Sequence, residues 1–435
     1  MPRCLPIAVL LVCAAGCGPT QAQLRARALE KERLRRTNLQ EQVEQGRALL
    51  LHDEPQRALP ILEAAFRDGA DEPVLPYLIG EAVRASALLQ TELFGHDGAV
   101  VAANISFDGR RLLTADREGS IYVWDRESGK QLEVMGCEQA QLASASFSSD
   151  GRRILSMGED HSVCVFDAES GQTLSKLAGR THGILAASLS PDGKRIATGS
   201  QDGRATLYDA DTGKVVVELF GHEKRVVAVG FSSDGKRIIT ASWDNSARVF
   251  DAETGQELWE LWGHSSHVAA AAFSPDGRRI ATTSWDNSAR IWDMATGALV
   301  WELRGHHSSV LSASFSPDGR QLLTTSEDNT ARVWEVDSGR ALWEWKGHID
   351  TIAAASFSPD GRRVMTASFD STLRLWDARD GRLQWELRGH QAKIHAASFS
   401  PDGGQILTGD RTGAKQRQQG RTSSHRPIIS RSSKD

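Results

Sequence analysis

Histidine, serine and aspartate recur in this sequence at spacings that could support nucleophilic catalysis. His264, Ser284 and Asp286 form one such set, and an aspartate–histidine–serine arrangement is the one with which hydrolases activate a serine. The same residue types return 42 residues later, and again 42 residues after that. Because an active site is normally built once, this recurrence favours a structural role for the set. The same reasoning argues against His264 and His267 as metal ligands.

These residues belong to a repeat of 42 residues that can be followed from Gly95 onward. Aspartate–glycine turns contain the first recurring set: Gly109, Gly151, Gly193, Gly235, Gly277, Gly319, Gly361 and Gly403. An aromatic residue followed by an acid gives the second set: Trp124, Phe166, Tyr208, Phe250, Trp292, Trp334 and Trp376. A Gly–His pair gives the third, with His96, His222, His264, His306, His348 and His390, while two repeats have Cys137 and Arg180 there.

Within one repeat the residue pattern predicts four short strands rather than helices. Val268–Phe273 and Arg279–Ser284 flank a Ser-Pro-Asp-Gly turn, and Ala289–Trp292 and Leu299–Leu303 follow further turn residues. Four short antiparallel strands leave two exposed edges and an unburied face, so one unit is unstable alone. Copies stacked around a central axis would bury these faces. The sequence therefore predicts a radial array of small sheets.

The Gly–His and aromatic–acid pairs at this period resemble the WD-repeat family. The resemblance spans residues 88–408 and implies an all-β propeller of seven complete four-stranded blades plus a partial eighth. In that family a histidine, a strand serine or threonine, the turn aspartate and the tryptophan of a blade form a hydrogen-bonded network. The matching structural residues here are His264, Ser284, Asp286 and Trp292; His306, Ser326, Asp328 and Trp334; and His348, Ser368, Asp370 and Trp376.

The other blades depart from this set. His222, Ser242 and Asp244 match it, but Phe250 has no indole N–H to donate. In the first blade Glu118 stands where the aspartate is expected. A further row of tryptophans is expected to pack between the outer strands of adjacent blades and to stabilise the fold: Trp259, Trp301, Trp343 and Trp385.

Side chains that vary against this repeated frame are the better candidates for binding. The family resemblance places the residue before each turn aspartate on the narrow top face, beside a second ring at the start of each innermost strand. Exposed aromatic residues on one face indicate a contact patch for a protein or peptide. In the alternative interpretation, they pack on the loops of neighbouring blades. The predicted partner-binding residues are Trp243, Trp285, Glu327, Phe369, Arg225, His267 and Lys393.

The first residues resemble a bacterial lipoprotein signal. Arg3 precedes the apolar run Leu5–Ala15, and small residues lead to Gly16 and Cys17. The resemblance implies that residues 1–16 are a signal peptide, that Cys17 is acylated, and that the lipid holds the chain on an envelope membrane. Because Gly18 rather than aspartate follows the cysteine, we expect the outer membrane, facing the periplasm. Plain secretion and an uncleaved anchor are the alternatives.

Residues 17–87 predict a small helical spacer. Residues 21–45 are charged and free of glycine and proline, and three shorter helical runs follow: one ending near Leu51, then Ala58–Phe66 and Leu75–Leu89. The 34-residue distance from Gly46 to Gly80, with small residues between them, resembles a tetratricopeptide unit. A plain helical spacer is the alternative.

Composition narrows the possible functions. The chain has 435 residues, 51 Lys and Arg against 56 Asp and Glu, and a formal net charge of −5, so we expect no nucleic-acid partner. The absence of a long apolar run past the N-terminus argues against a polytopic membrane protein. Only Cys137 and Cys164 lie in the body of the chain, and we expect two half-buried thiols that act as small hydrophobic residues, with a single bridge as the alternative.

The eighth repeat breaks off. Its first strands are predicted over His395–Phe399 and Gln405–Thr408, but Gln418–Gln419 stands where the aromatic–acid pair is due. Residues 409–435 are polar and basic and predict a disordered tail. Propellers of the family close by pairing an N-terminal strand with the last blade, and residues 88–94 supply such a strand. Without a third strand in the last blade, the strand at residues 88–94 has no proper neighbour. The sequence therefore leaves two possibilities: a ring with strained closure, or a ring of seven blades with residues 391–408 left over.

Taken together, these patterns predict a non-catalytic, lipid-anchored scaffold or adaptor that binds a protein or peptide on the top face of a propeller and needs no cofactor. An enzyme or small-molecule sensor that uses the central channel is a second interpretation, but the repeat contains no unique set of acids or metal ligands for it. A truncated or frame-shifted, non-functional gene fragment is the third.

Overall fold

The computed structural model describes residues 21–51, 55–68, 70, 74–75, 78–79, 89–93, 95–96, 98–136, 141–178, 183–388, 390, 392–410 and 428–431. The predicted signal peptide and Cys17 lie outside these ranges, as does most of the predicted tail. The chain separates into two compact units, Met1–Ser86 and Ala87–Asp435. Among the described residues, no helix is both long and apolar enough to cross a membrane.

Two helices of the first unit are described over their full length, α1 (Gln21–Leu51) and α2 (Pro55–Arg67), and the described residues Leu75, Leu78 and Ile79 are helical as well. The separate run that was expected to end near Leu51 is therefore the end of one continuous helix. Leu62 of α2 is fully buried, and a Cβ added to Gly46 of α1 would lie only 2.5 Å from Leu62 Cδ2. The glycine thus permits a close approach of the two helices. The resemblance to a tetratricopeptide unit stays a prediction.

The described residues of the second unit form eight four-stranded antiparallel sheets. The strands of the first four blades are β2 (Val100–Ile105), β3 (Arg111–Asp116), β4 (Ser120–Asp125) and β5 (Gln131–Gly136); β6 (Leu142–Phe147), β7 (Arg153–Gly158), β8 (Val163–Asp167) and β9 (Thr173–Leu177); β10 (Ile184–Leu189), β11 (Arg195–Ser200), β12 (Ala205–Asp209) and β13 (Val215–Leu219); β14 (Val226–Phe231), β15 (Arg237–Ser242), β16 (Ala247–Asp251) and β17 (Glu257–Leu261).

Three further blades continue this order. Their strands are β18 (Val268–Phe273), β19 (Arg279–Ser284), β20 (Ser288–Asp293) and β21 (Leu299–Arg304); β22 (Val310–Phe315), β23 (Gln321–Ser326), β24 (Ala331–Glu335) and β25 (Ala341–Trp345); β26 (Ile352–Phe357), β27 (Arg363–Ser368), β28 (Thr372–Asp377) and β29 (Leu383–Arg388). The four strands predicted for one repeat are confirmed, and so are the seven complete blades.

The core lies between neighbouring blades. Val249 of the fourth blade and Val268, Ile280 and Trp292 of the fifth belong to one buried cluster. Alternate residues of a strand point to opposite faces of its sheet, and in a propeller both faces of a blade meet a neighbour. This is why central strands such as β19 are buried at consecutive positions. The innermost strands β14, β18 and β22 also contact one another in sequence.

The eighth sheet is assembled from both ends of the propeller unit, and we call it the closing sheet. Its order is β1 (Leu89–Glu92), β32 (Ile428–Arg431), β31 (Gln405–Asp410) and β30 (Ile394–Phe399). Ile429 pairs with Leu407 on one side and with Thr91 on the other.

Two expectations about the end of the chain are therefore wrong. Residues 428–431 form a strand although the sequence predicted none over 409–435, and the strand at 89–92 has a neighbour although none was expected. Without β32, the outer edge of β31 would leave backbone N–H and C=O groups unpaired. Ile428 and Ile429 are β-branched residues that favour strands, and they pair with this edge although they lie further along the chain. The remaining residues 411–427 and 432–435 lie outside the described ranges.

The closing sheet lies between the seventh blade and the first, so the ring closes through it. Leu407 packs in one cluster with Leu112 and Trp124 of the first blade, and Ile406 packs with Met365 of the seventh. Arg126 Nη2 donates to Asp402 Oδ2 at 3.0 Å across the junction with the first blade.

Cys164 differs from expectation. It lies in β8, is buried, and is disulfide-bonded rather than a free thiol. Met135, next to the last residue of β5, packs in the same cluster. The expectation of a free thiol at Cys164 is thus wrong, while a bridge from Cys164 to Cys137 stays a prediction because Cys137 is not among the residues that the structure describes.

Candidate functional site

In the fifth, sixth and seventh blades the histidine and the tryptophan of the repeat meet at a threonine, and the aspartate bonds to the other side of the histidine. In the fifth blade His264 Nδ1 lies 2.9 Å from Asp286 Oδ2, and His264 Nε2 lies 2.8 Å from Thr282 Oγ1. The Trp292 indole N–H donates to the same Thr282 oxygen at 2.9 Å. Because Thr282 is fully buried, the hydroxyl that faces the imidazole cannot meet a substrate. The arrangement therefore holds the blade together.

The assignment of the strand serine to this network is wrong. Ser284 Oγ instead donates to the Ser266 carbonyl at 3.0 Å and accepts from the Asp286 amide at 3.1 Å, which fixes the turn. Ser326 and Ser368 make the same two bonds. Threonines two residues earlier complete the networks of the sixth and seventh blades: Thr324 with His306, Asp328 and Trp334, and Thr366 with His348, Asp370 and Trp376.

The surroundings of the network lower the pKa of its aspartates and of two of its histidines. Burial would raise the pKa of Asp286, but hydrogen bonds from His264 and Ser288 outweigh burial and hold the pKa of this carboxyl well below its usual range. Burial lowers the pKa of His306 and His348, and the facing carboxylates oppose this only in part. A neutral imidazole that donates to a carboxylate suits a buried structural bond.

Two sheets supply the acid from a different position. His390 Nδ1 of the closing sheet lies 2.9 Å from Asp410 Oδ2, and His96 Nδ1 of the first blade lies 3.7 Å from Asp116 Oδ2. Both acids stand at the strand position that Ser284 has in the fifth blade. The first blade thus keeps a buried acid although Glu118 replaces the turn aspartate.

The two predicted rings of binding residues lie side by side at one end of the propeller, which we call the top face. Each turn residue donates its backbone N–H to the residue before the innermost strand of the same blade. The pairs are Trp243 with Arg225 at 3.0 Å, Trp285 with His267 at 3.0 Å, Glu327 with Ser309 at 3.0 Å and Phe369 with Thr351 at 2.9 Å. The turns between second and third strands therefore carry the candidate residues inward toward the channel mouth.

Four of the candidates form one continuous stack across the fourth and fifth blades. The Arg225 guanidinium carbon lies 4.8 Å from the Trp243 ring centroid, and the Trp243 and His267 rings stack at 4.9 Å with an interplanar angle of 10°. His267 Nδ1 lies 2.8 Å from the Trp243 carbonyl oxygen. Trp243 is accordingly half-buried against the next blade, as the alternative interpretation of these aromatics expected.

Trp285 is the most open aromatic residue of this stack. Its ring meets His267 edge-on at 5.2 Å and Trp243 at 5.4 Å, and 42% of the residue is exposed. The next blade has Ser309 at the position from which His267 covers Trp243. The small serine leaves one side of the indole uncovered.

The remaining candidates lie further round the ring. Phe369 is covered by the Lys393 ammonium at 4.9 Å and by the His395 ring at 4.6 Å, and Lys393 also pairs with Asp350 at 3.1 Å. Glu327 is exposed, and its carboxylate accepts from Ser308 Oγ at 3.3 Å.

The outer tryptophan row packs between adjacent blades, as predicted. The Trp259 indole N–H donates to the Met294 carbonyl of the next blade at 2.9 Å. Trp301 and Trp343 make the equivalent bonds to Asp337 and Ala378. These three tryptophans therefore help to hold adjacent blades together, although 37% of Trp301 remains exposed.

The face opposite to the candidates has a cavity of 790 Å³ between the turns of the fourth, fifth and sixth blades. Arginine and aspartate side chains line it, and one pair, Arg279 with Asp293, is already joined by an ion pair. Within the described part of the chain no cluster of three or more His, Cys, Asp or Glu side chains could hold a metal ion.

Comparison with known proteins agrees with this architecture. The model of the WD domain, G-beta repeat, matches residues 213–251, 255–293, 297–335, 339–377 and 381–413, and a model described as outer membrane protein assembly factor BamB matches residues 83–226. A search of curated proteins returned no match. The computationally designed Ika8 protein has a similar structure, with a TM-score of 0.69 and 26% identity over 79% of this chain and 100% of that chain.

The chain therefore carries WD40 repeats, and these repeats form a β-propeller. Propellers of this class typically mediate protein–protein interaction.

Proposed function

We propose that this protein is a non-catalytic scaffold or adaptor that binds a protein or peptide on the top face of its propeller. The exposed Trp285, held beside Trp243 and His267, is the observation that carries the proposal. Aromatic residues that lie together and partly exposed on one face commonly mark an interaction site, and tryptophan is enriched among residues that dominate binding energies. The neighbouring stack holds Trp285 in place, which reduces the entropy lost when a partner binds.

We further propose that the scaffold is anchored by lipid at Cys17 to a bacterial envelope membrane, with the outer membrane as its destination. The lipoprotein-like signal at residues 1–17 supports this. The partial match to a model of an outer membrane assembly factor supports it independently. The disulfide at Cys164 is also in keeping with an oxidising compartment such as the periplasm.

A crosslinking pull-down from envelope membranes tests the proposal. We expect the full-length protein to capture a partner. The amount captured by the double variant Trp243→Ala/Trp285→Ala should be lower by a factor of at least about ten, because removal of two central aromatic residues commonly costs more than about 2 kcal/mol of binding energy. Cys17→Ala should move the protein itself from the membrane fraction to the soluble fraction.

Phe107→Ala provides the matched control. Phe107 is 74% exposed in a turn on the opposite face, so its removal tests whether loss of any exposed aromatic weakens capture. If the double variant and Phe107→Ala both capture as much partner as the native protein, the top-face aromatic residues do not form the binding site.

A further inference from the structure

Of the three aromatic residues among the turn candidates, Trp243, Trp285 and Phe369, two carry a cation that belongs to the protein itself. Arg225 covers Trp243, and Lys393 covers Phe369. Cations favour the faces of aromatic rings because the ring quadrupole attracts positive charge. Within the described residues, no Lys or Arg lies over Trp285 in this way.

The cation over Trp243 comes from its own blade, at a position that His267 occupies in the blade of Trp285. The cation over Phe369 comes from the next sheet. The covering residue of Trp243 on the next blade is His267, and that of Phe369 is Lys393. The residue at the same position after Trp285 is Ser309, which is too short to reach across the indole. The uncovered side of Trp285 thus lies toward the sixth blade.

The sixth blade presents an acid at this point. Glu327 occupies the turn position that Trp285 has in the fifth blade, and side chains at this position on adjacent blades reach one another, as the 5.4 Å between Trp243 and Trp285 shows. Among the described residues Glu327 has no ion pair, whereas the top-face acids Asp350 and Glu159 pair with Lys393 and Arg117.

We propose that Trp285 and Glu327 together bind a lysine or arginine side chain of the partner protein. The inference rests on the proposed function and names the chemistry of the partner. The incoming cation would lie on the open face of Trp285, in the way that Arg225 lies on Trp243, and would pair with the Glu327 carboxylate. An arginine suits both contacts best, because its planar guanidinium stacks on a ring while its edge donates to a carboxylate.

Selection of peptides on the full-length protein tests this site without knowledge of the natural partner. A displayed library of random 12-residue peptides is selected in parallel on the native protein, Trp285→Ala and Glu327→Gln. Phe107→Ala and Glu127→Gln, at exposed positions on the opposite face, serve as controls. We expect peptides from the native protein and both controls to share a Lys or Arg at one position, and this enrichment to disappear on the two site variants.

The leading peptide is then synthesised with citrulline or glutamine in place of that Arg or Lys. We expect its affinity for the native protein to fall at least tenfold and its affinity for Glu327→Gln to change little. Two results would overturn this inference and leave the proposed function standing. In the first, the peptides depend on Trp285 but share no basic residue. In the second, they share a basic residue whose contribution to affinity is the same on the native protein and on Glu327→Gln. A selection that yields no peptide dependent on Trp285 would overturn both.

Discussion

One buried threonine in each complete network holds the histidine and the tryptophan of its blade. Thr282 Oγ1 accepts from the Trp292 indole and faces His264 Nε2, while His264 Nδ1 bonds to Asp286. Both bonds at Thr282 lie away from water, so loss of the hydroxyl would leave an indole N–H and an imidazole nitrogen without partners. Each buried polar group left unsatisfied costs about 1–3 kcal/mol.

Thr282→Val should therefore lower the free energy of unfolding by about 2–4 kcal/mol, since it keeps the shape of the side chain and removes two buried hydrogen bonds. Thr283→Val is the matched control, because the hydroxyl of the adjacent Thr283 is buried and has no hydrogen-bond partner among the described residues. Urea denaturation followed by circular dichroism measures both. Equal stability of the two variants would contradict the structural role assigned to the threonine.

The sequence identifies three of the four network members but not the hydroxyl. His264, Asp286 and Trp292 follow from the repeat, whereas Ser284 was chosen in place of Thr282. Residues two apart in a strand point to the same face, so both hydroxyls lie on the correct side of β19 and the pattern cannot choose between them. The sequence pattern also does not predict how exposed Trp285 is, because its exposure depends on the size of the side chain that the next blade has beside the indole, here Ser309.

The elements of each blade are joined to the next through the turn between the third and fourth strands. Gly297 of the fifth blade has a φ of +68°, and a Cβ added to it would lie 2.5 Å from Trp259 Cε3 of the fourth blade. The indole thus lies directly on the glycine, while its N–H bonds to the Met294 carbonyl in the same turn. The outer tryptophan row and these turn glycines together lock adjacent blades.

Gly297→Ala should lower stability more than Gly277→Ala. Both glycines have nearly the same positive φ, but the nearest atom to a Cβ at Gly277 is Arg237 Nη1 at 3.9 Å. The left-handed conformation costs each alanine about 1–2 kcal/mol, and the clash with Trp259 adds to this only at Gly297. Thermal unfolding of the two variants isolates the difference. Identical melting temperatures of the two variants would show that the packing of the Trp259 indole on Gly297 does not contribute to stability.

At the scale of the whole molecule, the ring is held closed by strands from both ends of the propeller unit. The repeat period predicts the seven blades correctly because it counts residues along one contiguous chain. It misses β32, because residues 411–427 separate this strand from β31 and shift it out of the 42-residue register. Pairing with the open edge of β31 is a long-range event that no local pattern records.

A chain ending at Asp410 should be less stable than one ending at Arg431. The shorter chain loses β32, which pairs with β31 and with β1, and each backbone hydrogen bond lost is worth about 0.5–1.5 kcal/mol. It also exposes two strand edges, which favours association between molecules. Denaturation measures the stability of the two chains, and size-exclusion chromatography measures their association. If both chains are monomeric and equally stable, β32 is not needed to close the ring.

Site-specific photocrosslinking in envelope membranes tests the central claim, that the top face is the binding surface, most directly. A benzophenone amino acid is placed at Glu327, beside Trp285, in one protein and at Phe107, on the opposite face, in another. We predict that the probe at position 327 captures a partner protein and that the probe at position 107 does not. Capture from position 107 with none from position 327 would place the binding surface on the other face and contradict the account.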